Sequence, residues 1–139
     1  MKVLLDLNVL LDFLNQREYH AEAARILDFA ADNKFTACAS AHEMTTLAYF
    51  LEKQEKKPGE CRQTLSMLFN LFQILPVDKE ILEKALHSGI DDFEDAVLEA
   101  AAIKSGTEFI VTRNVKDFVR SKVQAVNPVQ FLELIQRKA

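Results

Sequence analysis

The sequence predicts an α/β fold, a three-layer sandwich in which a mostly parallel sheet is covered by helices on both faces. Short, continuously apolar segments alternate with longer segments of helical periodicity, as expected when strands are buried on both sides and joined through helices. The 139 residues contain no linker-like stretch or repeat, and 49% of them are hydrophobic, which suffices for one core. We therefore expect a single domain spanning residues 1–139.

The predicted strands are short and apolar, and most of them lead into a helix. They cover residues 3–5, 35–38, 73–75, 108–112 and 123–126. The predicted helices have apolar residues spaced three or four apart, and they cover residues 8–14, 20–31, 40–52, 59–69, 79–86, 92–104 and a last helix that begins at 127–128. Capping signals support these limits, including Asp78 before a helix, Gly106 after one, and Pro128 at a first helical position.

Composition excludes several classes of protein. A net charge of −4 gives no basic surface that could coat nucleic acid, although bound metal ions reverse the sign of an acidic pocket. Cys38 and Cys61 lack metal or redox spacing, so we expect buried side chains in a reduced protein. Asp6, Asn8 and Asp12 interrupt the apolar N-terminal run before it reaches the length of an export signal or a membrane span. We expect a cytoplasmic protein with no membrane partner.

Acidic side chains from four segments are expected at one edge of the sheet. Asp6 directly follows the first strand, and Asp117 lies just beyond the fourth. Helices that run antiparallel to the strands begin at the same edge, which adds Glu43, Asp92 and Asp95. Such crowding raises the Coulomb energy unless a cation is bound, and carboxylate oxygens are typical ligands of Mg²⁺ or Mn²⁺. The sequence therefore predicts a divalent metal site.

Three motifs, in order along nearly the whole chain, resemble those of the PIN-domain family. The opening MKVLLDLNVLLDFL at 1–14 is similar to the family's first motif, whose Asp-Thr-Asn signature reads Asp6-Leu7-Asn8. Asp-Phe-Glu-Asp-Ala at 92–96 resembles the third-acid motif, and Thr-Arg-Asn-Val-Lys-Asp-Phe at 112–118 resembles the closing motif. The chain looks most similar to the bacterial PIN subfamily whose members carry the string Asp-Phe-Glu-Asp-Ala.

The resemblance implies an endoribonuclease that depends on Mg²⁺ or Mn²⁺. Asp6, Asp95 and Asp117 would bind one or two ions, which activate a water for in-line attack, and Asp92 or Glu43 would be oriented through water. Other residues are expected around these acids: Asn8, Asn114 and Thr46 as groups that support the ligands, and Arg113, Lys116 and Arg120 as contacts to RNA phosphates. The resemblance also implies the toxin of a toxin–antitoxin pair, with an antitoxin protein as partner and a homodimeric state.

Two positions depart from the family pattern. Leu7 replaces the usual threonine or serine, and Thr46 stands where the family's second acid is expected. Glu43, three residues earlier on the same helix face, is the candidate substitute, although Ser40 and Glu43 also match a capping box. The departures favour an alternative hypothesis, a catalytically depleted PIN fold that binds RNA or protein without cleaving.

A third hypothesis is a phosphoryl-transfer enzyme with Asp6 as covalent nucleophile. It is disfavoured because Asn8 stands where that chemistry usually has a second acid, and no suitable lysine is evident. Among the remaining residues, Asp12 is predicted to be an exposed charge on the first helix. Most of the phenylalanines occupy core positions in the predicted elements.

Overall fold

The computed structural model describes residues 1–138, whose five strands form one all-parallel sheet in the order β3-β2-β1-β4-β5. The strands are β1 Lys2–Leu5, β2 Thr36–Ser40, β3 Gln73–Leu75, β4 Phe109–Val111 and β5 Gln124–Val126. In register, Leu5 of β1 pairs with Val111 of β4. The residues that follow these two strands therefore emerge side by side at the carboxyl edge of the sheet.

Helices cover both faces of this sheet. They are α1 Leu7–Leu14, α2 His20–Ala31, α3 Ala41–Gln54, α4 Glu60–Leu71, α5 Lys79–Ala85, α6 Phe93–Ser105 and α7 Pro128–Lys138, with a short 3-10 helix at Val115–Phe118. Val3 and Leu5 belong to a core cluster that includes side chains of α1, α2, α3, α4 and α7, whereas Leu4 belongs to a second cluster with α5 and α6. Successive strand side chains point to opposite faces, which produces the predicted three layers.

Side-chain caps set several helix limits as predicted. Asp78 accepts a hydrogen bond from the Ile81 backbone N–H at 3.0 Å. Asn127 and Gln130 form a reciprocal pair at the start of α7, with N···O distances of 2.8 and 2.9 Å. Gly106 ends α6 at φ 73°, a left-handed conformation that glycine adopts without strain.

The observed helices and strands differ from those predicted from the sequence at their ends, and one short helix was not predicted. The predicted strand at 35–38 lies at Thr36–Ser40, because β1 pairs with it from Thr36 to Cys38 and β3 extends the pairing to Ser40. The predicted strand at 108–112 is shorter, Phe109–Val111. The 3-10 helix Val115–Phe118 was not predicted, since four residues are too few to establish a helical period.

Burial agrees with most of the expectations for cysteine and phenylalanine. Cys38 and Cys61 are both buried and unpaired, as predicted. Phe35, Phe72, Phe118 and Phe131 are buried, whereas Phe69 and Phe93 are 51% and 47% exposed. Within residues 1–138, no helix is long and apolar enough to cross a membrane.

Candidate active site

Asp6 lies at the junction of β1 and α1, where the chain leaves the sheet. Its Oδ1 atom accepts a hydrogen bond of 2.7 Å from the Leu7 backbone N–H, so Asp6 is the N-cap of α1. Its Oδ2 atom accepts hydrogen bonds from Thr112 Oγ1 at 2.7 Å and from Asn8 Nδ2 at 3.2 Å. Burial raises the pKa of Asp6, and the hydrogen bonds from Thr112 and Leu7 oppose that rise. The carboxylate is thus held in one orientation.

Thr112, at the end of β4, links Asp6 to the closing motif. It is fully buried, and its Oγ1 atom accepts a hydrogen bond from the Asn114 backbone N–H at 3.1 Å. Asn8 adds a second link, because its Oδ1 atom accepts the Arg113 backbone N–H at 3.3 Å. Asn114 in turn accepts the Asp117 backbone N–H through its carbonyl at 2.9 Å. The predicted supporting residues Asn8 and Asn114 therefore hold the backbone that carries Asp117.

A cavity of about 330 Å³ lies beside this network, and we call it the carboxylate cavity. Its lining includes Asp6, Asn8, Asp92, Asp95, Asn114 and Asp117. The structure thus brings together acids from the end of β1, the start of α6 and the 3-10 helix after β4. Asp92 is also the N-cap of α6, where its Oδ1 atom accepts the Asp95 backbone N–H at 3.0 Å.

The acids of the carboxylate cavity influence one another. The pKa of Asp95 is raised from 3.8 to about 7, first by burial and then by the negative charges of Asp92, Asp6, Asp117 and Glu94. Like charges that crowd together disfavour the ionised form of each carboxyl group. Asp95 is therefore the acid whose charge depends most on a compensating cation.

Glu43 combines a structural role with proximity to the site. It forms the capping box expected from the sequence, in which the Ser40 N–H donates to Glu43 Oε1 at 2.8 Å and the Glu43 N–H donates to Ser40 Oγ at 3.1 Å. Its Oε2 atom is buried and has no hydrogen-bond partner among residues 1–138. Burial, followed by the Asp6 charge, raises the pKa of Glu43 well above its usual value. Neither Glu43 nor the half-buried Thr46 lines the carboxylate cavity.

The structure corrects the expectation for Asp12 and gives Arg113 a contact inside the protein. Asp12 is fully buried rather than exposed, because Arg113 supplies a neighbouring cation with Nε 2.9 Å from Asp12 Oδ2. The contact has the distance of an ion pair without the alignment of a hydrogen bond. The Arg113 Nε atom is thereby engaged inside the protein, while 30% of the side chain stays exposed, and its contact with an RNA phosphate stays a prediction. Lys116 and Arg120 line a separate cavity of about 410 Å³, which shares Asp92, Asp95 and Asp117 with the carboxylate cavity.

The residues of the carboxylate cavity fit a divalent cation by their chemistry. All the charged donors are carboxylates, the ligands that Mg²⁺ and Mn²⁺ prefer. Burial is the first cause of the raised pKa of Asp95, and the neighbouring negative charges raise that pKa further. Within residues 1–138, no three carboxylate, imidazole or thiol groups already stand at metal-ligand spacing. The acids thus line one cavity without already being arranged around a single point.

Comparison with known proteins gives one family. A family described as PIN domain matches residues 2–116. Ribonuclease VapC1 from Aquifex aeolicus (strain VF5) is 30% identical over 141 residues, which covers 95% of this chain and 94% of that protein.

Solved structures share the fold at lower identity. The crystal structure of VapBC2 from Rickettsia felis, bound to a DNA fragment from their promoter, matches with a TM-score of 0.71 and 20% identity, covering 91% of this chain and 98% of that one. A toxin-antitoxin complex from Klebsiella pneumoniae matches with a TM-score of 0.70 and 24% identity, covering 91% and 97%. These likenesses agree with the all-parallel sheet and its flanking helices.

Proposed function

This chain belongs to the PIN-domain family, and on that premise we propose that it is a divalent-metal-dependent endoribonuclease that hydrolyses phosphodiester bonds in RNA. The observation that carries the proposal is the carboxylate cavity, in which acids from three separate parts of the chain meet. Support comes also from a relative named as a ribonuclease, which is 30% identical over nearly the full length of both chains.

In this proposal Asp6, Asp95 and Asp117 hold Mg²⁺ or Mn²⁺. When bound, the ion lowers the pKa of a water and stabilises charge on the phosphate oxygens. The protein supplies orientation: Thr112 and the Leu7 N–H fix the Asp6 carboxylate, and Asn114 holds the backbone of Asp117. Because these groups are held before substrate binds, little reorganisation is needed during the reaction.

In this proposal two cations beside the acids, Lys116 and Arg120, bind the substrate. Lys116 and Arg120 line the cavity that adjoins Asp92, Asp95 and Asp117, where they are able to contact phosphates next to the scissile one. Asp92 has a position from which to orient a water, although it also caps α6. Glu43, the remaining predicted acid, does not line the carboxylate cavity, and in this proposal it caps α3.

We further propose that the protein is the toxin of a toxin–antitoxin pair, with a small antitoxin protein as partner, in the cytoplasm and as a homodimer. A solved toxin-antitoxin complex shares this fold. Tyr49 of α3 and Met67 and Phe69 of α4 are 54%, 71% and 51% exposed. The two helices pack against each other, and a contiguous exposed apolar patch marks a protein interaction surface.

The direct test compares RNA cleavage by the wild type with cleavage by Asp6→Asn and Asp95→Asn, in Mn²⁺ and in EDTA. We expect Mn²⁺-dependent cleavage by the wild type and its loss in both variants, with circular dichroism unchanged. The matched control is Asp28→Asn, an exposed acid on α2 away from the cavity, which should cleave like the wild type. Unaltered cleavage by both site variants would contradict the proposal. Wild-type binding of RNA without cleavage would instead support the catalytically depleted module.

A further inference from the structure

An apolar pocket of about 540 Å³ adjoins the carboxylate cavity. It lies between the starts of α3 and α6 and the side of α5, and its apolar lining includes Ala41, Val77, Leu82, Phe93 and Val97. Glu94 lines both the pocket and the carboxylate cavity, so the two share a wall. A ligand that occupies the carboxylate cavity would thus have the apolar pocket directly beside it.

Phe93 is the aromatic side chain of this pocket. It is the first residue of α6, between the Asp92 cap and the acids Glu94 and Asp95, and 47% of its surface is exposed. An aromatic ring left in water beside a group of carboxylates contributes little to the core. Its position instead suits contact with the flat face of a ligand.

Three cavities are joined in sequence across the edge of the sheet. The cavity with Lys116 and Arg120 shares acids with the carboxylate cavity, which shares Glu94 with the apolar pocket, and the two outer cavities have no lining residue in common. A nucleic-acid strand has anionic phosphates and apolar base faces. Its phosphates fit the side with the two cations, and a base fits the side with the apolar pocket.

We propose that the apolar pocket is a nucleobase subsite, which takes the base of a nucleotide adjacent to the scissile phosphate and stacks it on the ring of Phe93. This inference rests on the proposed ribonuclease function. His42 and Glu94, whose Nε2 and Oε2 atoms are 3.9 Å apart, both line the pocket and supply polar contacts for the base edge. A base can enter only if it is unstacked, so the substrate segment is single-stranded.

The test combines a protein variant with a substrate variant. The substrate is a short single-stranded oligoribonucleotide that the wild type cleaves at one position, and a series of derivatives replaces one nucleotide at a time by an abasic ribose. We expect Phe93→Ala to raise KM about 5- to 150-fold with kcat retained, the range that loss of base–aromatic stacking produces. One abasic position beside the cleavage site should raise KM similarly for the wild type and have no further effect on Phe93→Ala.

Two further variants separate stacking from folding. Phe93→Tyr keeps the ring and should restore the wild-type KM. Ile103→Ala, which shortens an equally exposed apolar side chain further along α6, should also leave KM unchanged. If abasic substitution at every position affects Phe93→Ala and the wild type equally, the subsite does not exist.

Self-association is the competing explanation for the pocket. If sedimentation shows that Phe93→Ala converts a wild-type dimer to a monomer, the pocket is a contact between copies and the proposal is overturned. Absence of cleavage by the wild type itself would overturn the ribonuclease function as well, whereas cleavage that is insensitive to Phe93 would overturn the nucleobase subsite alone.

Discussion

Arg113 neutralises a carboxylate buried in the first helix: its Nε atom lies 2.9 Å from Oδ2 of Asp12, which is fully buried. Burial raises the pKa of Asp12, and the Arg113 charge opposes that rise. Arg113 directly follows Thr112, which donates to Asp6, and its own N–H donates to Asn8. The pair therefore joins α1 to the chain after β4, the two segments that carry Asp6 and Asp117.

Removing the Arg113 cation should destabilise the protein more than removing the Asp12 charge. Arg113→Met leaves the buried Asp12 carboxylate without the cation that lowers its pKa most, which should cost about 3–5 kcal/mol of the free energy of unfolding. Asp12→Asn should cost less, because the Arg113 side chain is 30% exposed and its charge can turn to water. Urea denaturation at neutral pH measures both values. Equal losses in the two variants would mean that burial of the Asp12 charge is unimportant.

The loss in Arg113→Met should also depend on pH. Arg113 lowers the Asp12 pKa more than Arg17 does, so without Arg113 the folded pKa rises further above the usual 3.8. A carboxyl group with a raised pKa binds more protons in the folded state than in the unfolded state, so stability falls as pH increases above the unfolded value. The difference in unfolding free energy between variant and wild type should therefore be smaller at pH 5 than at pH 8. A constant difference over this interval would contradict the explanation.

Asp95 should make the stability of the metal-free protein depend on pH. Its pKa is raised from 3.8 to about 7, so folding binds a proton and stability decreases as pH rises between these two values. Asp95→Asn removes the group, and in EDTA at pH 8 the variant should melt at a higher temperature than the wild type. Excess Mn²⁺ should reverse the order, because only the wild type gains stability from binding the ion. A variant that melts lower in EDTA would show that Asp95 is stabilising when ionised.

Thr112 should be required for cleavage although it is too buried to touch substrate. Thr112→Val leaves Asp6 Oδ2 without its 2.7 Å donor and the Asn114 N–H without an acceptor, a cost of about 1–3 kcal/mol in stability. We expect reduced kcat as well, since the Asp6 carboxylate loses its orientation. Thr112→Ser keeps the hydroxyl and is the matched control. Full activity in Thr112→Val would exclude an orienting role.

Glu43 can be tested separately as a cap and as an acid. Glu43→Gln keeps an acceptor for the Ser40 N–H and removes a buried carboxyl whose pKa is raised, so it should be at least as stable as the wild type at pH 8. Glu43→Ala removes the acceptor of the Ser40 N–H while the Ser40 Oγ cap remains, and it should lose about 1 kcal/mol of stability. Because Glu43 does not line the carboxylate cavity, we expect Glu43→Gln to retain RNA cleavage. Loss of cleavage with intact stability would assign Glu43 to the reaction.

Much of the site follows from topology that the sequence already indicates. In a parallel sheet the carboxyl ends of all strands meet at one edge, so Asp6 after β1 and Asp117 after β4 were expected to be close. Helices antiparallel to the strands bring Asp92 and Asp95 to the same edge. All of these residues line one cavity, as the sequence predicts.

The remaining contacts depend on packing between residues distant in the sequence. Asp12 has the pattern of an exposed helix charge, and only the approach of Arg113 from the chain after β4 allows it to be buried. Thr112 is a β-branched residue at a strand end, and nothing local shows that its hydroxyl reaches Asp6. Phe93 has an apolar side chain in a helical segment, and its exposure follows from how α6 begins beside α3 and α5.

Anomalous diffraction from a crystal soaked in Mn²⁺ tests the shared metal site most directly. We expect one or two peaks in the carboxylate cavity, with oxygen atoms of Asp6 and Asp95 at about 2.0–2.2 Å and Asp117 bound directly or through water. A soak at a pH above 7 keeps Asp95 ionised. A cavity without Mn²⁺, or peaks that contact none of these three acids, would contradict the metal-dependent mechanism.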